Sequence, residues 1–125
     1  MEEVNTLKAT YEYDNKFDIM DIGAEGEFKY KKTIEIDNSV YIDFDENNVP
    51  FALEMFNASR IFNIRKQDLH NPKHIDMNIT IKDGIIYLKI TYIYETHNAS
   101  VIEEVDKKVI NDYNISDMET VLVTS

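Results

Sequence analysis

The chain has no cysteine, no tryptophan, two prolines and three glycines among its 125 residues. Without Cys there is no disulfide scaffold, no thiolate-ligated zinc or iron–sulfur site and no thiol chemistry. With so little Gly the sequence holds no glycine-rich phosphate loop, no dinucleotide fingerprint and no G-x-S-x-G elbow, and it is read as a protein that is not an enzyme. No apolar run approaches the roughly 20 residues that span a bilayer. The opening MEEVNTLKAT lacks both the basic and the apolar region of a signal peptide, so a soluble cytoplasmic protein with no membrane contact is expected. On that expectation the Asn-x-Ser/Thr triplets at Asn57, Asn78, Asn98 and Asn114 carry no glycan.

Positive charge is also scarce. Against 24 acidic side chains stand 13 basic ones, a net charge of −11 spread along the chain. Such a surface repels phosphate backbones, which excludes sequence-independent nucleic-acid binding and leaves basic proteins or cations as charged partners. What is present suits one globular domain: 43% hydrophobic and 30% charged residues, without internal repeat, low-complexity segment or Pro/Ser-rich linker. Residues 1–125 are therefore expected to form a single domain.

Two hairpins can be read with their registers. Asp83-Gly84 is a strong two-residue turn signal, setting Ile81 against Ile86, Ile79 against Leu88, Met77 against Ile90 and Ile75 against Tyr92 on one apolar face. A loop at Asn47-Asn48 would set Phe44 against Phe51, Ile42 against Leu53 and Val40 against Met55. Pro50 then points to an edge strand, because it cannot donate to a second neighbour. A third pair of strands is expected at Leu7–Tyr13 and Phe17–Ile22, a short strand at Thr33–Ile36 and a last one at Met118–Val123.

Two helices are expected. Ser100 to Glu103 matches a capping box, with Val101, Val105 and Val109 at helical spacing and Glu103/Lys107 and Glu104/Lys108 four apart, predicting a helix over 101–112. A shorter one is expected from Asn57 as N-cap through Ile61 and Ile64. The sum is an α+β fold: an antiparallel β-sheet of hairpins with one or two short helices packed on one face.

The residues that could carry chemistry are few. In DFDENNVPFALE, Asp43, Asp45, Asn47 and Glu54 occupy the first, third, fifth and twelfth positions of a calcium-binding EF-hand loop. The flanks read as strands rather than helices. In the hairpin register Glu54 instead pairs with Tyr41 and lies diagonal to Asp43, about 7 Å away, so those two carboxylates could converge on one ion. His70 and His74 are four apart but separated by Pro72, and His97 stands alone, which argues against zinc. Catalysis would have to use carboxylate pairs, Asp43 with Glu54 or Asp18 with Asp21.

Tyr13-Asp14, then Asp18, Met20 and Ile22, then Ile42-Asp43-Phe44-Asp45-Glu46, Leu53-Glu54-Met55 and Ala58-Ser59 together resemble a small prokaryotic domain-of-unknown-function family, number 2283, over about residues 11–65. Asn48 and Ala52 stand where that family usually has Gly. The resemblance makes residues 66–125 an extension of hairpin, helix and terminal strand. It implies no established activity. Some members look like partners encoded beside small toxins, which implies an antitoxin-like inhibitor of a basic protein. The leading expectation is thus a non-enzymatic, acidic protein-interaction domain with a basic protein partner and no cofactor. The alternative is a weak calcium-binding module using Asp43, Asp45, Asn47 and Glu54, and the third reading is a carboxylate-dependent enzyme.

Overall fold

A computed structural model of the chain describes residues 4–124. Strands β1 (Val4–Asp14), β2 (Ile19–Ala24), β3 (Tyr30–Asp37), β4 (Val40–Asp45) and β5 (Pro50–Phe56) lead into helix α1 (Ala58–Phe62) and a 3₁₀ turn at Lys66–Leu69. Strands β6 (His74–Lys82), β7 (Ile85–Thr96), β8 (Ala99–Ile110) and β9 (Met118–Thr124) follow. All nine strands join one sheet in the order β3-β4-β5-β2-β1-β9-β6-β7-β8. Every pairing is antiparallel except β1 with β9.

The sheet curls into a half-barrel with α1 packed on its face, so the expected α+β fold of hairpins is observed. Alternation decides which face is which. Met20 and Ile22, Ile42 and Phe44, Leu53 and Met55, and the run Ile75, Met77, Ile79, Ile81 all turn to the interior and are buried. Phe62 and Leu69 close the concave side, where Phe62 packs 5.8 Å from Tyr92 between ring centroids. The Tyr92 hydroxyl donates to the Asp68 carbonyl at 2.8 Å and that of Tyr11 to the Leu69 carbonyl at 2.6 Å. These two bonds tie the 3₁₀ turn to the sheet.

The Asp83-Gly84 hairpin forms in the expected register, with both turn residues at positive φ (52° and 76°). That is the type I′ geometry that matches strand twist. In the β4–β5 hairpin, Ile42 faces Leu53 and Val40 faces Met55 as read, but a bulge after Asp43 brings Phe44 opposite Pro50 rather than Phe51.

Three further expectations are corrected. Residues 101–112 are not a helix: β8 covers them to Ile110, paired along its length with β7. Val101, Val105 and Val109 also fit period two, and β-branched side chains favour the pleat. The joining turn places His97 and Asn98 at φ 50° and 65°, a second type I′ loop. Nor is β5 an edge, since it lies between β4 and β2. Its ladder with β2 runs only from Phe56 to Ala52, so Pro50 is never asked for a second hydrogen bond. Helix α1 does start after Asn57, but Asn57 is left-handed (φ 57°) and makes no side-chain cap bond. The cap comes from Asp18, on the β1–β2 turn.

Candidate functional site

The order β3-β4-β5-β2-β1 sets five strands side by side, and the outward positions line up in two rows. Glu12 faces Asp21, Asp21 faces Glu54, Glu54 faces Tyr41 and Tyr41 faces Glu35. One step along the strands, Thr10 faces Gly23, Gly23 faces Ala52, Ala52 faces Asp43 and Asp43 faces Thr33. The first row is long-chained and acidic; the second has almost no side chain at its centre. A Cβ built on Gly23 would meet nothing within 4 Å. The result is an open groove of about 640 Å³ across the sheet's outer face, with Tyr41 and Phe56 edge to face at 5.8 Å on one wall.

Among the described residues, Glu12, Asp21, Glu35, Asp43 and Glu54 take part in no ion pair. Their charges act on one another. Burial, then the charge and hydrogen bonding of Glu54, then the charges of Glu12 and Asp14, push the Asp21 carboxyl above its ordinary value. Hydrogen bonding to Glu35, with burial and the charges of Glu35, Glu54 and Asp37, raises Tyr41. Asp21 thus holds a proton more readily than an isolated carboxylate, and the groove as a whole attracts cations.

A raised folded-state pKa means that ionised Asp21 opposes folding at neutral pH and that its protonation favours folding. Asp21→Asn is therefore expected to raise the thermal midpoint at pH 7. The gain should shrink as pH falls through the folded pKa towards the ordinary 3.8, in a series of melting curves from pH 7 to 3. A gain that persisted at pH 3 would mean that packing, not charge, is responsible.

The calcium set is divided. Asp43 and Glu54 face outward in different rows, and Asp43 accepts from the Thr33 hydroxyl. Asp45 is buried and folds into its own loop, where Oδ1 accepts the backbone N–H groups of Asn47 and Val49, each at 2.9 Å. That is turn chemistry. Among the described residues no group of three or more His, Cys, Asp or Glu is arranged to hold a metal ion. His70 meets Asn15 at 3.3 Å and the ring of Tyr13, whereas His74 pairs with Asp76 at 2.9 Å, so the two imidazoles serve different neighbours. Of the carboxylate pairs read from the sequence, Asp43/Glu54 share the groove, but Asp21 partners Glu54 rather than Asp18.

Asp18 has a different role. Its Oδ1 accepts the Tyr13 hydroxyl at 2.6 Å and the Ser59 amide at 3.0 Å, and its Oδ2 accepts the Ser59 hydroxyl at 2.6 Å. This ties the β1–β2 turn to the first turn of α1. Asp14 likewise accepts the amides of Lys16 and Phe17 at 2.9 and 3.1 Å. The motif residues Tyr13, Asp14, Asp18, Asp45 and Ser59 are thus fold-forming, and Glu12 and Glu35, which complete the acidic row, lie outside that motif. Only strand order, not local spacing, reveals them.

Comparison with known proteins gives two archaeal relatives. The uncharacterized protein MJ0789 of Methanocaldococcus jannaschii is 32% identical over 117 residues, 93% of this chain and 99% of the relative. A Methanosarcina mazei protein named "Putative hypoxanthine phosphoribosyltransferase" is 27% identical over 110 residues, 88% of each chain. No family model matches the chain, and no solved structure matches it significantly.

Proposed function

The chain belongs to the family of the uncharacterized Methanocaldococcus jannaschii protein, and from that premise we propose that it is a non-enzymatic binding module whose outer acidic groove receives a cationic segment of a protein partner. The observation that carries this reading is the unbroken row Glu12–Asp21–Glu54–Tyr41–Glu35, which crosses five strands with no Lys or Arg in it. Ordered carboxylates on a rigid sheet steer and orient a basic partner through long-range attraction. The small centres of the second row leave space for the stems of Lys or Arg side chains, which bury along apolar surface while their heads stay paired.

A phosphoribosyl-transfer site, as the name of the Methanosarcina mazei relative would require, must hold an anionic phosphoribosyl group. The groove is itself negative and would repel such a group. None of the three histidines lines it, and the groove is open rather than enclosed, which supports binding over acid–base catalysis. An inhibitor that covers a basic protein surface, as the resemblance to family 2283 implies, is one form such a complex takes.

The test uses a fluorescein-labelled ten-residue oligolysine peptide and anisotropy titration. Binding should be measurable at 50 mM salt and lost at 1 M, where the Debye length falls to about 3 Å. Asp21→Asn combined with Glu54→Gln should weaken it roughly tenfold, an effect of about 1.4 kcal/mol. An affinity indifferent to the double substitution would remove the groove from the interaction.

A further inference from the structure

Strand β8 ends the sheet on one side and is hydrogen-bonded only to β7. Its inward positions are occupied: Val105 is buried, α1 packs against the strand, and Lys107, an inward residue, reaches Asp37 of β3 at 3.1 Å. The other sheet edge, β3, therefore comes close to β8 in backbone as well as side chain, without pairing with it. The outward positions are not covered. Ile102 and Ile110 are 59% and 66% exposed. Each continues an apolar patch on β7, Ile93 beside Ile102 and Ile85 beside Ile110.

The outward sequence of β8 reads Ile102, Glu104, Asp106, Lys108, Ile110, and it is self-complementary about Asp106. Placed antiparallel to itself, with a two-fold axis through Asp106, the strand sets Ile102 against the second copy's Ile110 and Glu104 against its Lys108. Both pairs then occur twice. The one like-charge pair, Asp106 with its own equivalent, has Lys89 opposite it on β7 in each copy, with the ammonium on Glu104 at 3.5 Å. Cross-strand apolar and opposite-charge pairs of this kind are what stabilise a sheet edge contact, and a closed two-fold pairing leaves neither β8 edge exposed.

We infer that β8 is a homodimerisation edge, on which a second copy of this chain pairs antiparallel about Asp106 to make a continuous sheet. The interface is separate from the acidic groove, so a groove that failed to bind basic peptides would leave it untouched.

Because the chain has no cysteine, the register can be tested by single substitutions. Residues directly opposite in an antiparallel pair have Cα atoms about 4.5–5.5 Å apart, within disulfide reach. Asp106→Cys should therefore cross-link to a covalent dimer under mild oxidation. Glu104→Cys should not, because its own equivalent lies four residues away along the strand, about 13 Å. In sedimentation velocity the wild type should run as a dimer, and Ile102→Lys should raise the dissociation constant roughly tenfold or more. A wild type that stays monomeric at hundreds of micromolar overturns the inference. So does a dimer in which Asp106→Cys fails to cross-link, or one in which both Cys variants cross-link equally.

Discussion

Leu122→Ala lowers the stability of the fold by about 2–5 kcal/mol, the range for truncating a fully buried Leu, and leaves a single cooperative transition. Leu122 is wholly buried on β9, opposite Leu7 of β1 on one side and Met77 of β6 on the other. β9 is the strand through which the β1–β5 half and the β6–β8 half become one sheet, so a cavity there loosens both. Urea unfolding followed by circular dichroism and by tyrosine fluorescence provides the check. The two probes should give one midpoint, lower than the wild type's, with an unchanged slope. The neighbouring Val121→Ala, half-buried on the outer face, should cost less than half as much. Equal losses at 121 and 122 would mean that the inner contact is not the joint between the halves.

Asp18→Ala should cost about 2–4 kcal/mol. Its carboxylate accepts three hydrogen bonds from Tyr13 and Ser59, and bonds to a charged acceptor contribute about 1.5–3 kcal/mol. Ala would also have to hold φ 56°, a left-handed conformation costing about 1–2 kcal/mol. Burial by itself would raise the Asp18 pKa. The Ser59 hydroxyl, the Tyr13 hydroxyl, the Ser59 amide and the Lys66 charge outweigh it and hold the carboxyl below its ordinary 3.8. The sign is thus opposite to that of Asp21. Stability from Asp18 is present above pH 3.8 and is lost as pH falls through the depressed folded value. The gap between wild type and Asp18→Ala should therefore be widest at pH 7 and narrow as pH falls below 3.8, to the remainder that backbone strain leaves. A gap independent of pH would assign the whole effect to backbone strain at residue 18.

How much of this could be read from residues alone depended on how local the cause was. Asp83-Gly84 dictates its turn, the turn dictates the register, and the whole β6–β7 pairing followed. Around Asn47-Asn48 the loop was legible, but the bulge at Asp43 was not, because it arises where Asp45 draws in the Asn47 and Val49 amides. β8 failed for a different reason. Ser100, Glu103 and the Glu/Lys pairs four apart satisfy helical rules, while Val101, Val105 and Val109 fit both periods, and only pairing with β7 chooses between them. The acidic row was hidden most completely. Asp21 and Glu54 are far apart in sequence and meet because β2 inserts between β1 and β5, a topological fact with no short-range signature.

The parallel seam between β1 and β9 also sets a timetable. β1 is complete once Asp14 has been made, but its second neighbour begins only at Met118. At a synthesis rate of about 5–20 residues per second that interval lasts roughly 5–20 s. Throughout it the nascent first half carries an unpaired β1 edge and an apolar underside that neither α1 nor the 3₁₀ turn can cover alone. An unpaired edge over an apolar face is a template for pairing with other chains, so the nascent chain is most open to aggregation before its final strand emerges.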